Sequence, residues 1–191
     1  EGVLSPTGIA SDGGSDRGGW GYERRTLGAD LTARLVAAPP SGVSVNDVLL
    51  AALHLAIDEW NADHGRPTGW LSVMMPVNVR PDDWFYQVMA MYTLFERVRT
   101  DRGDRRDPAS ALERVTRQTT RIKEEDLAER AYEALAMLPE APVALDRRLP
   151  GLLDGPGERL LDTVVLTNLG NVPASPSLGE DSTERVWFAP P

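Results

Sequence analysis

The chain has 191 residues, 41% of them apolar, with a formal net charge of −9 and no cysteine. That length suits one domain with a real core; the acidic balance argues against nucleic acid or an anionic membrane surface as a partner, because both require a basic face; and the missing cysteines exclude a disulfide framework and a Cys-ligated zinc site. No apolar run approaches the ~20 residues of a membrane span and no signal-peptide pattern begins the sequence, so a cytoplasmic protein is the default expectation.

Residues 1–21 include "SPTGIASDGGSDRGGWG", whose Gly/Ser/Asp composition is that of a flexible linker or crossover. "YERRTL" (22–27) reads as a short strand, and "GADLTARLVAAPP" as a helix with Asp30 near its start and Pro39-Pro40 ending it. The next helix has the clearest signals. Ser44 and Asp47 form an S-x-x-D capping box, Val48, Ala52, Leu55, Ala56 and Trp60 form an apolar stripe, and Gly65 supplies the stop. "GWLSVMMPVNV" (69–79) and "VMAMYTLFERVR" (88–99) read as strands, the first apolar on both phases and so expected to be buried on both faces. Asp107-Pro108 begins a helix with Leu112, Val115 and Ile122 on its apolar face. A further helix follows with Leu127, Ala131, Leu135 and Leu138 on one side and Glu124, Glu125 and Asp126 at its positive end. Prolines 139, 142 and 150 then break the chain, before the expected strands "DTVVLTNL" (162–169) and "RVWFA" (185–189). Helices alternating with doubly buried strands imply an α/β layer with a mixed, partly parallel sheet.

Three segments, in this order, resemble the C-terminal half of the condensation-domain-like acyltransferases: "VSVNDVLLAAL" (43–53), "VMMPVNVRP" (73–81) and "VVLTNLGNVP" (164–173). This chloramphenicol-acetyltransferase-like superfamily includes nonribosomal-peptide condensation domains, the wax-ester synthase and diacylglycerol acyltransferase family, and polyketide-associated acyltransferases. The resemblance implies one chloramphenicol-acetyltransferase-like lobe over residues 22–191, a mixed β-sheet flanked by helices, of a two-lobed enzyme of secondary metabolism. The family's general base is the second histidine of an H-H-x-x-x-D-G motif in the N-terminal lobe. Nothing before residue 22 is long enough to be that lobe, so we expect a fragment that is inactive alone, with both ends cut from a longer polypeptide. The implied donor is an acyl-CoA or phosphopantetheine thioester, with no covalently bound cofactor. The implied partners are the N-terminal lobe and an acyl or peptidyl carrier protein. An apolar face that the other lobe would cover leaves self-association of the fragment open. The reading from a different class is a non-catalytic binding or scaffold module that retains the lobe fold.

His54 and Asp58, in "HLAID", have the spacing of a catalytic H-x-x-x-D, but capping and periodicity put them in mid-helix. With Asp47 and Asn61 they form a polar stripe, read as helix surface or a lobe-facing stripe on which Asp58 would raise the His54 pKa modestly. No catalytic residue and no metal ligand is therefore assigned, and no P-loop, zinc-ligand spacing or G-x-S-x-G elbow occurs. Asn78 and Arg80 end a buried strand, where α/β clefts form; Arg80 either caps carbonyls or pairs with Asp82 or Asp83, or else lines the substrate tunnel. Thr167 and Asn168 either serve turn chemistry before Gly170 or face the same tunnel. The run "ERVRTDRGDRRD" (96–107) could meet a CoA or phosphopantetheine phosphate, but its interleaved aspartates read better as a solvated, salt-laced loop. Lys123, the single lysine, is read as compositional bias without functional weight.

Overall fold

The structure, a computed structural model, describes residues 5–13, 23–80, 92–125, 130, 162–170, 177–178 and 181–182. Among these, three helices and a small mixed sheet make an α/β unit: α1 (Ala29–Ala37), α2 (Val45–Asp63), β1 (Leu71–Asn78), β2 (Thr93–Thr100), α3 (Pro108–Glu124), β3 (Val164–Val165), and a two-stranded ribbon of β4 (Ser177–Leu178) and β5 (Asp181–Ser182). The sheet order is β2-β1-β3. β1 runs antiparallel to β2, pairing Leu71 with Thr100 through Asn78 with Thr93, and parallel to β3.

The helix signals correspond to local hydrogen bonds. The Asp47 N–H donates to Ser44 Oγ at 3.2 Å and the Ser44 N–H to Asp47 Oδ2 at 2.7 Å, so two otherwise orphaned amide groups of the α2 start are satisfied. Gly65 follows the last turn at φ +65°, a backbone that a side chain would strain. Asp107 caps α3 by accepting from the Ser110 N–H at 2.9 Å, with Pro108 at the first helical position.

α2 and α3 cover one face of the sheet. Leu50 and Ala51 of α2, Ala111, Val115 and Ile122 of α3, and Val73, Met75 and Val98 of the strands form the core. Several expectations change here. The buried face of α2 carries Asp47, Leu50, Ala51, His54, Ile57 and Asn61, while Ala52, Ala56 and Trp60 of the expected apolar stripe are exposed. The helix is rotated because Asp47, His54 and Asn61 each find a partner, which offsets the cost that would otherwise turn them outward, although among the described residues His54 Nε2 is left without one. The strands are not covered on both faces throughout: Phe95 and Val165 are exposed, and Arg97 and Arg99 also face outward from β2. Residues 23–28 form no strand, and of 162–169 only Val164–Val165 are paired as one.

Within residues 5–13, expected as part of a flexible connection, Thr7, Gly8 and Ala10 are hydrogen-bonded to the rest of the chain. The Thr7 N–H donates to the Trp70 carbonyl at 2.9 Å, and the buried Asn61 amide accepts from the Ala10 N–H at 2.6 Å and donates to the Gly8 carbonyl at 3.2 Å. Thr163 Oγ1 also donates to the Thr7 carbonyl, at 2.9 Å. The segment thus bridges the C-terminal end of α2 and the start of the β1–β3 pair. The expected helix after residue 126 and the strand 185–189 lie outside the described residues, apart from Arg130, which is helical. No helix among the described residues is long and apolar enough to cross a membrane.

Candidate functional site

A cleft of about 580 Å³ lies at the C-terminal end of β1, beyond the end of β3, between the first turn of α2 and the last turn of α3. Crevices outside the carboxyl ends of strands are where α/β sheets characteristically bind ligands, since the chain turns away there and leaves backbone and side chains pointing into open space. Met75, Val77, Ile122, Leu166 and Leu169 supply its apolar wall. Its polar groups are Asn46 from α2, Asn78 and Arg80 from the β1 end, Lys123 from α3, and Asn168 after β3. The Leu166 N–H donates to the Met74 carbonyl at 2.9 Å, which holds the chain after β3 against β1 and sets the two asparagine-bearing ends side by side.

Both asparagines are also turn residues. Asn78 Oδ1 accepts from the Arg80 N–H at 3.2 Å and Asn168 Oδ1 from the Gly170 N–H at 2.9 Å, each two residues on, as Asx turns do. Gly170 completes the second turn at φ +63°. The turn and cleft alternatives are therefore compatible: the side-chain oxygen fixes the turn, and the NH₂ remains the donor of each amide. Arg80 is half-buried, with its guanidinium 5.6 Å from the centroid of the Tyr92 ring. Thr167 is exposed and does not line the cleft.

Asn46, not singled out from the sequence, and Lys123, read there as compositional bias, both line the cleft. Asn46 lies within the motif stretch "VNDV", beside the Asp47 that caps the helix, and its amide donates to Met75 Sδ at 3.6 Å. Lys123 was legible only through helical phase, one position after the buried Ile122.

HLAID lies elsewhere. His54 is fully buried between α2 and β2, with Nδ1 2.8 Å from Thr100 Oγ1. Burial pushes its pKa down to about 4, the nearby Arg105 guanidinium acts in the same direction, and a Val98 carbonyl opposes them. The expected rise does not occur, because burial dominates; Asp58 itself pairs with Arg105 Nε at 3.3 Å. A general base must reach the proton it takes, and this imidazole lines no cleft among those described. Arg105 also corrects the solvated-loop reading. Its side chain is fully buried, donating to the carbonyls of Thr100 at 2.7 Å and Gly69 at 2.6 Å, whereas Arg102 and Arg106 are exposed.

No family model matches the chain, and no solved structure does. Two proteins of Mycobacterium tuberculosis are similar to it: "Uncharacterized protein Rv2305" of strain ATCC 25618 / H37Rv and "Uncharacterized protein MT2362" of strain CDC 1551 / Oshkosh, each 35% identical over 190 residues. That stretch is 96% of this chain but 44% of either relative, so the chain spans less than half the length of the curated relatives it matches.

Proposed function

We propose that the chain is the C-terminal, chloramphenicol-acetyltransferase-like lobe of a condensation-domain-like acyltransferase. The observation that supports this reading is convergence. The three segments that carry the resemblance lie far apart in sequence, yet each sends a polar residue to one cleft: Asn46 from "VNDV", Asn78 and Arg80 from "VNVRP", and Asn168 from "TNLG". The relatives, more than twice as long as the matched stretch, have room for a second lobe.

In the complete enzyme a histidine of the other lobe takes the proton from an acceptor hydroxyl or amine. The acceptor oxygen or nitrogen then attacks the thioester carbonyl of an acyl-CoA or carrier-bound donor, and the carbonyl electrons move onto oxygen. Collapse of that tetrahedral oxyanion re-forms the carbonyl, breaks the carbon–sulfur bond, and returns the proton to the departing thiolate. The asparagine NH₂ groups are among the donors this lobe can offer to the oxyanion, and donors held in place before the reaction act mainly on the transition state.

The test keeps the turns and removes the donors. Asn78→Asp and Asn168→Asp retain the Oδ1 acceptor, and each should lower thiol release from a thioester by the complete protein about 100-fold, the scale of one lost oxyanion donor. Unchanged turnover in both variants would remove these asparagines from the chemistry. Turnover by the 191-residue chain alone would overturn the assignment of the base to another lobe.

A further inference from the structure

The cleft has a charge sign opposite to that of the molecule around it. The chain carries 29 acidic residues and a net charge of −9, yet among the described residues that line this cleft none is Asp or Glu, and two are Arg80 and Lys123. Lys123 is the only lysine in the chain, and no ion pair is recorded for it among the described residues. Two helix ends also meet the rim. α2 brings its positive N-terminal turn through Asn46, and α3 its negative C-terminal turn through Ile122 and Lys123. Each end is equivalent to about half an elementary charge, so the two nearly cancel and the side chains determine the sign. Beside these cations the wall is apolar, from Met75, Val77, Leu166 and Leu169.

We infer that this cleft binds an amphipathic anion, with a phosphate or carboxylate head held by Lys123 and Arg80 and a hydrocarbon chain laid along the apolar wall. The inference rests on the substrate-site assignment above and specifies its ligand class. It also moves anion contact away from the arginine-rich stretch 96–107, where Arg105 is buried in structural hydrogen bonds and Arg97 is paired with Asp162 at 2.9 Å. A lysine ammonium acts as a compact point charge and an arginine as a planar fork, so the pair suits an oxyanion approached from two sides. An apolar chain is needed as well, because exposed charges alone are screened within about 8 Å at physiological ionic strength.

The experiment is calorimetric titration of the complete protein with n-octyl phosphate, octanoate, n-octyl glucoside and inorganic phosphate, all below micelle-forming concentrations. At least one of the alkyl anions should bind about tenfold or more tightly than both the neutral glucoside and inorganic phosphate, and the tighter of the two identifies the head group. Lys123→Gln and Arg80→Gln should each weaken that anion about tenfold and leave the glucoside unchanged. Lys123→Arg should restore most of the affinity, and Arg106→Gln, in the exposed loop, should change nothing. Glucoside binding as tight as both alkyl anions would overturn the inference, as would inorganic phosphate binding equal to octyl phosphate, or unchanged anion binding in a folded Lys123→Gln variant. Thioester turnover is read separately. Turnover with no anion preference would sink the inference and leave the acyl-transfer proposal standing; anion binding without turnover would do the reverse.

Discussion

His54 is held neutral by the environment that buries it. In the folded protein its pKa is down at about 4 against an ordinary value of 6.5, so between those values the unfolded chain binds a proton that the native state refuses. Stability contributed by the neutral imidazole is therefore fully present above about pH 6.5 and is lost as pH falls toward 4, a loss on the order of 3 kcal/mol. Urea denaturation at pH 7.5 and pH 4.5 should show that loss in the parent protein and a distinctly smaller one in His54→Gln. Carboxylate titrations affect both proteins alike and cancel in the comparison. Equal losses would exclude the histidine as the source of the acid sensitivity.

At the scale of elements, partnered polar groups decide how helices and loops lie. Along α2, Asp47, His54 and Asn61 recur at heptad spacing, and each reaches a different neighbour: Thr119 of α3 at 2.6 Å, Thr100 of β2, and the segment 5–13. The spacing of this seam was legible as a polar stripe, but its burial was not, because apolar periodicity counts polar residues as surface and so placed the core stripe on Ala52, Ala56 and Trp60. The ends of α2 and α3 were legible because capping chemistry is local: Ser44, Asp47 and Asp107 satisfy amides within three residues of themselves. Arg105 was illegible for the opposite reason, since its partners at Gly69 and Asp58 are 36 and 47 positions away. Among the site residues, Asn78 ends β1, and Arg80 and Asn168 follow within three residues of strand ends, so all three could be found. Asn46 and Lys123 enter the cleft from helix termini that only tertiary packing brings there. The Arg105 contacts make a direct comparison with a neighbour. Arg105→Ala strands two carbonyls and the half-exposed Asp58 and should cost about 3 kcal/mol, whereas Arg106→Ala should stay within about 0.5 kcal/mol. Chemical denaturation of both variants checks this, and similar values for the two would return Arg105 to the solvated loop.

For the molecule as a whole, an apolar sheet face is set against a strong net charge. Phe95 pairs with Pro76, and Val165 with Met74, so all four point to the side of the sheet opposite α2 and α3, with Phe95 53% and Val165 47% exposed. Arg97 and Arg99 stand on the same face beside these apolar groups, and exposed apolar surface favours association when two copies meet. The charge of −9 on each copy opposes it, and that repulsion weakens as salt shortens the screening length from about 30 Å at 0.01 M to about 3 Å at 1 M. The two contributions therefore separate by ionic strength. In sedimentation velocity the 191-residue chain should be mainly monomeric in low salt and should associate increasingly as sodium chloride rises, the reverse of an assembly held by ion pairs. A Phe95→Glu/Val165→Glu variant should remain monomeric at every salt concentration, because it removes apolar area and adds like charge on the same face. Salt-induced association that persists in that variant would exclude this face as the contact and point instead to α1, where Leu31 and Val36 are also exposed.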